Sequence, residues 1–206
     1  MDDEFVAAEP GIKRTDNGGL LGLVASRALA DVTATDVLVV PGGFGTRALM
    51  HDAALLEWIR AVHATTTWTA SVCTGSLLLG AAGLLAGLPA TTHWAAMKTL
   101  ASTGAIPTAS RVVEAGKIFT AAGVSSGIDL ALTLAARLAG EDVAQAIQLG
   151  IEYDPQPPFD SGSLEKAPAR IRAMVERSEA SQTDQRTDVA DRADVTDVAA
   201  SANPRG

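Results

Sequence analysis

The stretch from Thr65 to Gly83 reads TTTWTASVCTGSLLLGAAG and holds the only cysteine of the 206-residue chain. Trp68–Val72 is rich in aromatic, β-branched and small residues, which predicts a short strand. Cys73 follows directly, and the run that begins at Leu77 favours a helix. A strand, a sharp turn that carries a thiol and a helix are typical of a nucleophile elbow, and the start of the helix favours thiolate over thiol.

A lone cysteine is more often a small buried hydrophobe than a nucleophile, so the elbow pattern leaves both interpretations open. A second strand bears on the choice. Thr35–Val40 ends in a continuous apolar run, Val37–Val40, which is typical of a parallel strand buried on both faces, and Pro41-Gly42-Gly43 follows. Glycines at the carboxyl end of such a strand can aim N–H groups into the crevice where ligands of open α/β sheets bind. An ordinary glycine-rich turn explains the same residues.

The remaining periodicity alternates helices with strands, which predicts an α/β fold with a mostly parallel sheet. Helices are expected over 52–64, with Asp52 as N-cap, and over 95–101, 128–138, 141–153 and 167–177. Residues 111–120 form an expected hairpin around an Ala-Gly turn, and residues 1–35 form an expected small strand pair or loop.

His93 lies twenty residues beyond Cys73, after one predicted helix, so it could return to the same sheet edge. A Cys–His pair would fit nucleophilic catalysis, and a structural or pocket-lining role is the alternative. His51 and His63 bracket the preceding helix and are expected at the surface. Three scattered histidines and one cysteine lack metal-ligand spacing, and no cofactor motif appears, so we predict neither a metal nor a cofactor.

Composition restricts the class of protein. The formal charge of −8 argues against nucleic-acid binding by the body of the domain. The acidic start does not suit a secretory signal, and no apolar run reaches the length of a membrane span. A single cysteine fits a reducing compartment, so a cytoplasmic protein is expected. Residues 178–206 lack aromatic and large aliphatic side chains apart from valine, which predicts a disordered acidic tail after a domain over 1–177.

Five segments, in this order, carry a resemblance: DVLVVPGG, SVCTGSLLLGAAGLLAG, ATTHW, GVSSGIDLALTLAA and YDPQPPFDSGS. The chain resembles the PfpI-type superfamily of class I glutamine-amidotransferase-like proteins and, within it, the isocyanide hydratases. The proline-rich segment is more particular to the hydratases than the others are. The resemblance implies a flavodoxin-like three-layer sandwich, a homodimer and a small-molecule substrate, with neither nucleic acid nor membrane as a partner.

The resemblance also implies roles for individual residues. Cys73 would be the nucleophile, and the backbone N–H groups of Gly43 and Thr74 would stabilise an anion. The Thr74 hydroxyl would contact the substrate. In the hydratases the histidine of ATTHW is not the accepted partner of the cysteine, which argues against a Cys73–His93 pair.

One departure from the family pattern concerns the start of the chain. Family members begin with an apolar strand, a turn with an Asp or Glu that hydrogen-bonds the cysteine, and a helix, and nothing before residue 36 matches this unit. The expectation is therefore a shortened form that lacks that acid and has low stability. Without the first strand, apolar faces and ladder hydrogen bonds of the sheet would be uncovered.

The implied activity is the cysteine-dependent hydration of isocyanides to N-substituted formamides. The elbow itself does not select the electrophile, so an amidase, protease or glyoxalase-type enzyme of the same superfamily is an alternative. A ligand-sensing domain related to AraC-type regulators is another, although no helix-turn-helix pattern follows the domain, which argues against direct DNA binding. A binding protein without catalysis is a third.

Overall fold

The computed structural model describes residues 3–14 and 21–178. The chain divides into two compact units, Met1–Tyr153 and Asp154–Gly206. In the second unit the described residues form a helix over 169–178. The tail predicted over 178–206 lies, apart from residue 178, outside the described residues. The domain boundary at residue 177 stays a prediction.

The first unit contains the sheet and most of the helices. Its strands are β1 (Val6–Ala7), β2 (Gly11–Arg14), β3 (Gly22–Ala25), β4 (Arg27–Ala28), β5 (Val37–Val40), β6 (Trp68–Val72), β7 (Pro89–Ala90), β8 (Ile106–Pro107), β9 (Val112–Ala115) and β10 (Ile118–Ala121). Its helices are α1 (Thr46–Leu49), α2 (Ala53–Thr65), α3 (Gly75–Ala81), α4 (Met97–Ser102), α5 (Ser126–Ala139) and α6 (Glu141–Gly150), with single 3₁₀ turns at Leu29–Asp31 and Trp94–Ala96. No helix within the described segments is both long and apolar enough to cross a membrane.

The central sheet has the strand order β5-β6-β10-β9. β5, β6 and β10 are mutually parallel, and β9 joins β10 as the antiparallel arm of the predicted hairpin. Ser71 of β6 pairs with Val40 of β5 on one side and with Thr120 of β10 on the other. The carboxyl ends of the three parallel strands therefore lie at the same edge of the sheet. The predicted α/β fold with a mostly parallel sheet is confirmed.

Two apolar clusters cover the two faces of this sheet. On one face Leu38 and Ile118 pack with buried residues of α2, α3 and α4. On the other face Phe119 packs with Leu130 and Leu134 of α5. Successive residues of β10 therefore face the two different cores, which agrees with the three-layer sandwich that the family resemblance implies.

β5 lies at one edge of the sheet in the described part of the chain. Its residue Val39 is 50% exposed, whereas its neighbours Leu38 and Val40 are 8% and 6% exposed. Parallel strands are normally covered on both faces, so a half-exposed valine in the middle of β5 is uncommon. The expectation of a shortened form stays a prediction.

Several local predictions hold. The Asp52 carboxylate accepts the Leu55 N–H at 3.0 Å and caps α2. The hairpin turns at Gly116, whose φ is +62°. β2 and β3 form the small antiparallel pair expected near the start.

The expectation of a surface position is wrong for His63. Its ring is half-buried, and its Nδ1 lies 2.8 Å from the hydroxyl of the buried Thr69 in β6. Burial, followed by the positive charge of Lys117, lowers the pKa of His63 below its ordinary value. The Lys117 ammonium is held nearby because it donates to the His63 carbonyl. His51, by contrast, is exposed as expected.

Candidate active site

Cys73 occupies the turn between β6 and α3, at the carboxyl edge of the sheet. Its φ is +56°, a conformation that L-residues other than glycine rarely adopt. A non-glycine residue in this region is strained by about 1–3 kcal/mol and persists only where the surrounding structure holds it. Such strained residues cluster at functional sites, so the geometry supports the elbow interpretation.

Hydrogen bonds hold the Cys73 backbone on both sides. Its N–H donates to the carbonyls of Ala121 at 3.0 Å and Ala122 at 2.8 Å, just past β10. Its carbonyl accepts the hydroxyls of Thr92 at 3.0 Å and Ser76 at 3.2 Å. These four contacts fix the peptide groups around the cysteine, while its side chain keeps partial access to solvent.

The glycines after β5 lie directly against the elbow. A Cβ on Gly42 would come within 2.7 Å of the Thr74 nitrogen and 2.9 Å of the Cys73 Cβ, so only glycine fits there. The Gly43 N–H donates to the Thr74 hydroxyl at 2.9 Å, and that hydroxyl donates to the Gly43 carbonyl at 3.0 Å. The N–H expected to stabilise an anion therefore already has a partner.

His93 lies at the same sheet edge as Cys73. The residue before it, Thr92, binds the Cys73 carbonyl, and Thr91 is anchored by its N–H to the Thr120 hydroxyl at 2.9 Å. A Cβ added to Gly123 would lie 3.5 Å from the imidazole, and the ring centroid is 5.6 Å from that of Trp94. The predicted return to the sheet edge is observed, and the role of His93 stays open.

The sequence profile of the DJ-1/PfpI family matches residues 7–137, well over half of the chain. The chain belongs to the DJ-1/PfpI family. It is 47% identical over 173 residues to the isonitrile hydratase of Pseudomonas putida, a match that covers 84% of this chain and 76% of that protein. The predicted membership of the PfpI-type superfamily and the resemblance to an isocyanide (isonitrile) hydratase are confirmed.

A solved relative gives the same fold. The crystal structure of a ThiJ/PfpI family protein from Pseudomonas syringae superimposes with a TM-score of 0.81 at 40% identity, over 88% of this chain and 75% of that one. The chain is also 32% identical to the HTH-type transcriptional regulator CdhR of Pseudomonas aeruginosa, over 68% of this chain and 41% of the regulator.

Two residues that contact the Cys73 backbone were not predicted from the sequence. Thr92 precedes His93 in ATTHW, and its hydroxyl donates a hydrogen bond to the Cys73 carbonyl. The sequence predicts Ser76 only as part of the turn after Cys73, whereas in the structure its hydroxyl donates a hydrogen bond to the same carbonyl. The structure buries both threonines of the ATTHW run, and a buried hydroxyl needs a hydrogen-bond partner, but the sequence alone does not indicate that burial.

Proposed function

We propose that this protein hydrates isocyanides to N-substituted formamides, with Cys73 as the nucleophile. The observation that carries the proposal is the strained cysteine at φ +56° in the turn between β6 and α3, in a chain 47% identical to an isonitrile hydratase. The protein is thus an enzyme that resembles the hydratases and acts on a small molecule.

The chemistry balances with water as the sole co-reactant. The Cys73 thiolate adds to the terminal carbon of R–N≡C, and that carbon takes up a proton, which gives the thioimidate Cys–S–CH=N–R. Water then adds to the same carbon while the nitrogen becomes protonated. The C–S bond breaks, the thiolate leaves, and the hydroxyl proton is released as R–NH–CHO forms. Cysteine suits both halves because its thiolate is a strong nucleophile and also a good leaving group.

Backbone groups around Cys73 would support these steps. Its paired N–H and carbonyl hold the strained conformation, so the sulfur is presented without reorganisation. The N–H of Thr74, joined by that of Gly43 once the Thr74 hydroxyl turns away, would stabilise negative charge in the adducts. The Thr74 hydroxyl would then be free to contact the substrate nitrogen. We further propose a cytoplasmic homodimer that binds neither nucleic acid nor membranes.

The test is turnover of a simple alkyl isocyanide by the wild type and by Cys73→Ser. We expect the wild type to produce the formamide with one oxygen-18 atom when the reaction runs in labelled water. Rapid quenching should give an adduct heavier than the protein by the full mass of the isocyanide. Cys73→Ser should show neither product nor adduct. Because the chain has one cysteine, thiol titration reports on Cys73 alone.

A folded wild type with a titratable thiol and no formamide would overturn the hydratase proposal. The similarity to CdhR makes a ligand-sensing domain the second candidate. A sensor would bind small molecules with a shift of its unfolding midpoint that survives Cys73→Ser, whereas the hydratase proposal expects turnover that this substitution abolishes.

A further inference from the structure

A three-residue cluster lies beside the active site, at the start of α5. The Asp129 carboxylate accepts the Arg111 Nε–H at 2.5 Å and the Tyr153 hydroxyl at 2.9 Å. The hydrogen bond to Asp129 raises the pKa of Tyr153 above its ordinary value. Arg111 also extends an Nη2–H to the Ser125 hydroxyl at 3.3 Å.

Hydrogen bonds connect this cluster to the nucleophile without a break. The Arg111 carbonyl accepts the N–H of Ala122 at 2.9 Å, and the Ala122 carbonyl accepts the N–H of Cys73 at 2.8 Å. Arg111 therefore forms hydrogen bonds with both ends of the loop over 122–125: its backbone carbonyl binds Ala122, and its guanidinium binds Ser125. That loop supplies one of the two carbonyls that hold the strained Cys73 peptide.

We propose that Asp129, with Arg111 and Tyr153, forms a set of positioning residues that holds the 122–125 loop and through it the Cys73 backbone. The planar guanidinium explains the choice of arginine, because Nε and Nη2 point to Asp129 and Ser125 at once. The inference rests on the proposed role of Cys73 as nucleophile. It assigns to three side chains a positioning role that acts through the backbone of the 122–125 loop.

A second ion pair separates positioning from simple stability. Glu114 in β9 accepts a hydrogen bond from Arg137 in α5 at 2.7 Å, with side chains 38% and 48% exposed. The Asp129–Arg111 pair also links α5 to the β9 end of the hairpin, with side chains 28% and 54% exposed. Exposed pairs of this kind contribute little to stability. The Asp129–Arg111 pair is joined to Cys73 through the Arg111 backbone and Ala122, by two successive hydrogen bonds.

The experiment compares Asp129→Ala with the matched control Glu114→Ala in the full chain. Two quantities are measured: the rate constant for alkylation of Cys73 by iodoacetamide at fixed pH, and kcat and KM for a simple alkyl isocyanide. For Asp129→Ala we expect the alkylation rate to move from the wild-type value by about threefold or more, and kcat to fall about tenfold with little change in KM. Glu114→Ala should stay within about twofold of the wild type.

Tyr153→Phe removes one hydroxyl and serves as the decisive variant if Asp129→Ala does not fold. It should change the alkylation rate in the same direction by a smaller factor. Equal alkylation rates in the wild type, Tyr153→Phe and Asp129→Ala would overturn the proposal, as would an equal effect of Glu114→Ala. Because alkylation needs no isocyanide, a wild type that fails to hydrate the substrate refutes the proposed function and leaves this measurement intact.

Discussion

Gly75 is the position at which one added methyl group should disturb the elbow most. It is the first residue of α3, and it lies against the carboxyl end of β5. A Cβ there would come within 2.2 Å of the Val40 carbonyl oxygen and 2.9 Å of the Pro41 oxygen. Both atoms belong to the backbone, so no side-chain rotation can relieve the contact.

The size of the effect of Gly75→Ala follows from this distance. Ordinary contact begins near 3.4 Å, so β5 and α3 must separate by about 1 Å. Overpacking of this kind costs about 3 kcal/mol of unfolding free energy when the backbone must move. In a chain of this size that corresponds to a midpoint about 6–12 °C lower. The same displacement moves Gly43 away from the elbow, so kcat should fall about 100-fold in the folded fraction.

Thermal and urea unfolding, followed by circular dichroism, measure the effect. Gly45→Ala is the matched control, because Gly45 has a φ of −61° and its Cβ would meet nothing within 4 Å. Gly45→Ala should lie within about 1 kcal/mol of the wild type, on the stabilising side. A Gly75→Ala variant as stable as Gly45→Ala would show that β5 and α3 do not approach as closely as described.

Thr92→Val removes one hydroxyl from the Cys73 carbonyl and should lower isocyanide turnover about tenfold, with a midpoint only about 2–4 °C lower; unchanged turnover would contradict this. Burial and a neighbouring ammonium lower the pKa of His63, so the folded state binds fewer protons than the unfolded chain just below pH 6.5. The free energy of unfolding should therefore fall as the pH is lowered through that window, and His63→Gln should flatten the dependence. Val39→Lys should reduce concentration-dependent association in sedimentation experiments, because it places a positive charge on the exposed side of β5. Val124→Lys, at an exposed valine outside the sheet, should leave association unchanged.

Local pattern predicted the elbow because its causes are local. A β-prone run, a cysteine among small residues and a helix-favouring run fix strand, turn and helix within nineteen residues. The parallel partner strand was equally clear, since Val37–Val40 is apolar throughout. The hairpin over 111–120 and the Asp52 cap follow from equally short-range rules.

Contacts between distant segments could not be predicted in the same way. Arg111 and Asp129 are 18 residues apart, and Asp129 and Tyr153 are 24 apart. Their pairing depends on how the hairpin and α5 fold back on each other, which periodicity does not specify. His63 was misjudged for the same reason, because the hydroxyl that its ring meets belongs to Thr69 on the next strand.

The Gly43 N–H differs from its expected role, because in the structure it already donates a hydrogen bond to the Thr74 hydroxyl. Family resemblance marks this group as an anion donor, and the chain does place it beside the elbow. The same fold places the Thr74 hydroxyl against it, because leaving the buried Thr74 hydroxyl without a hydrogen-bond partner would cost free energy. If Gly43 stabilises an anion as proposed, the substrate would compete with this internal hydrogen bond at the start of α3. Thr74 would then act at two stages, first as the internal partner of Gly43 and afterwards as a contact to the substrate.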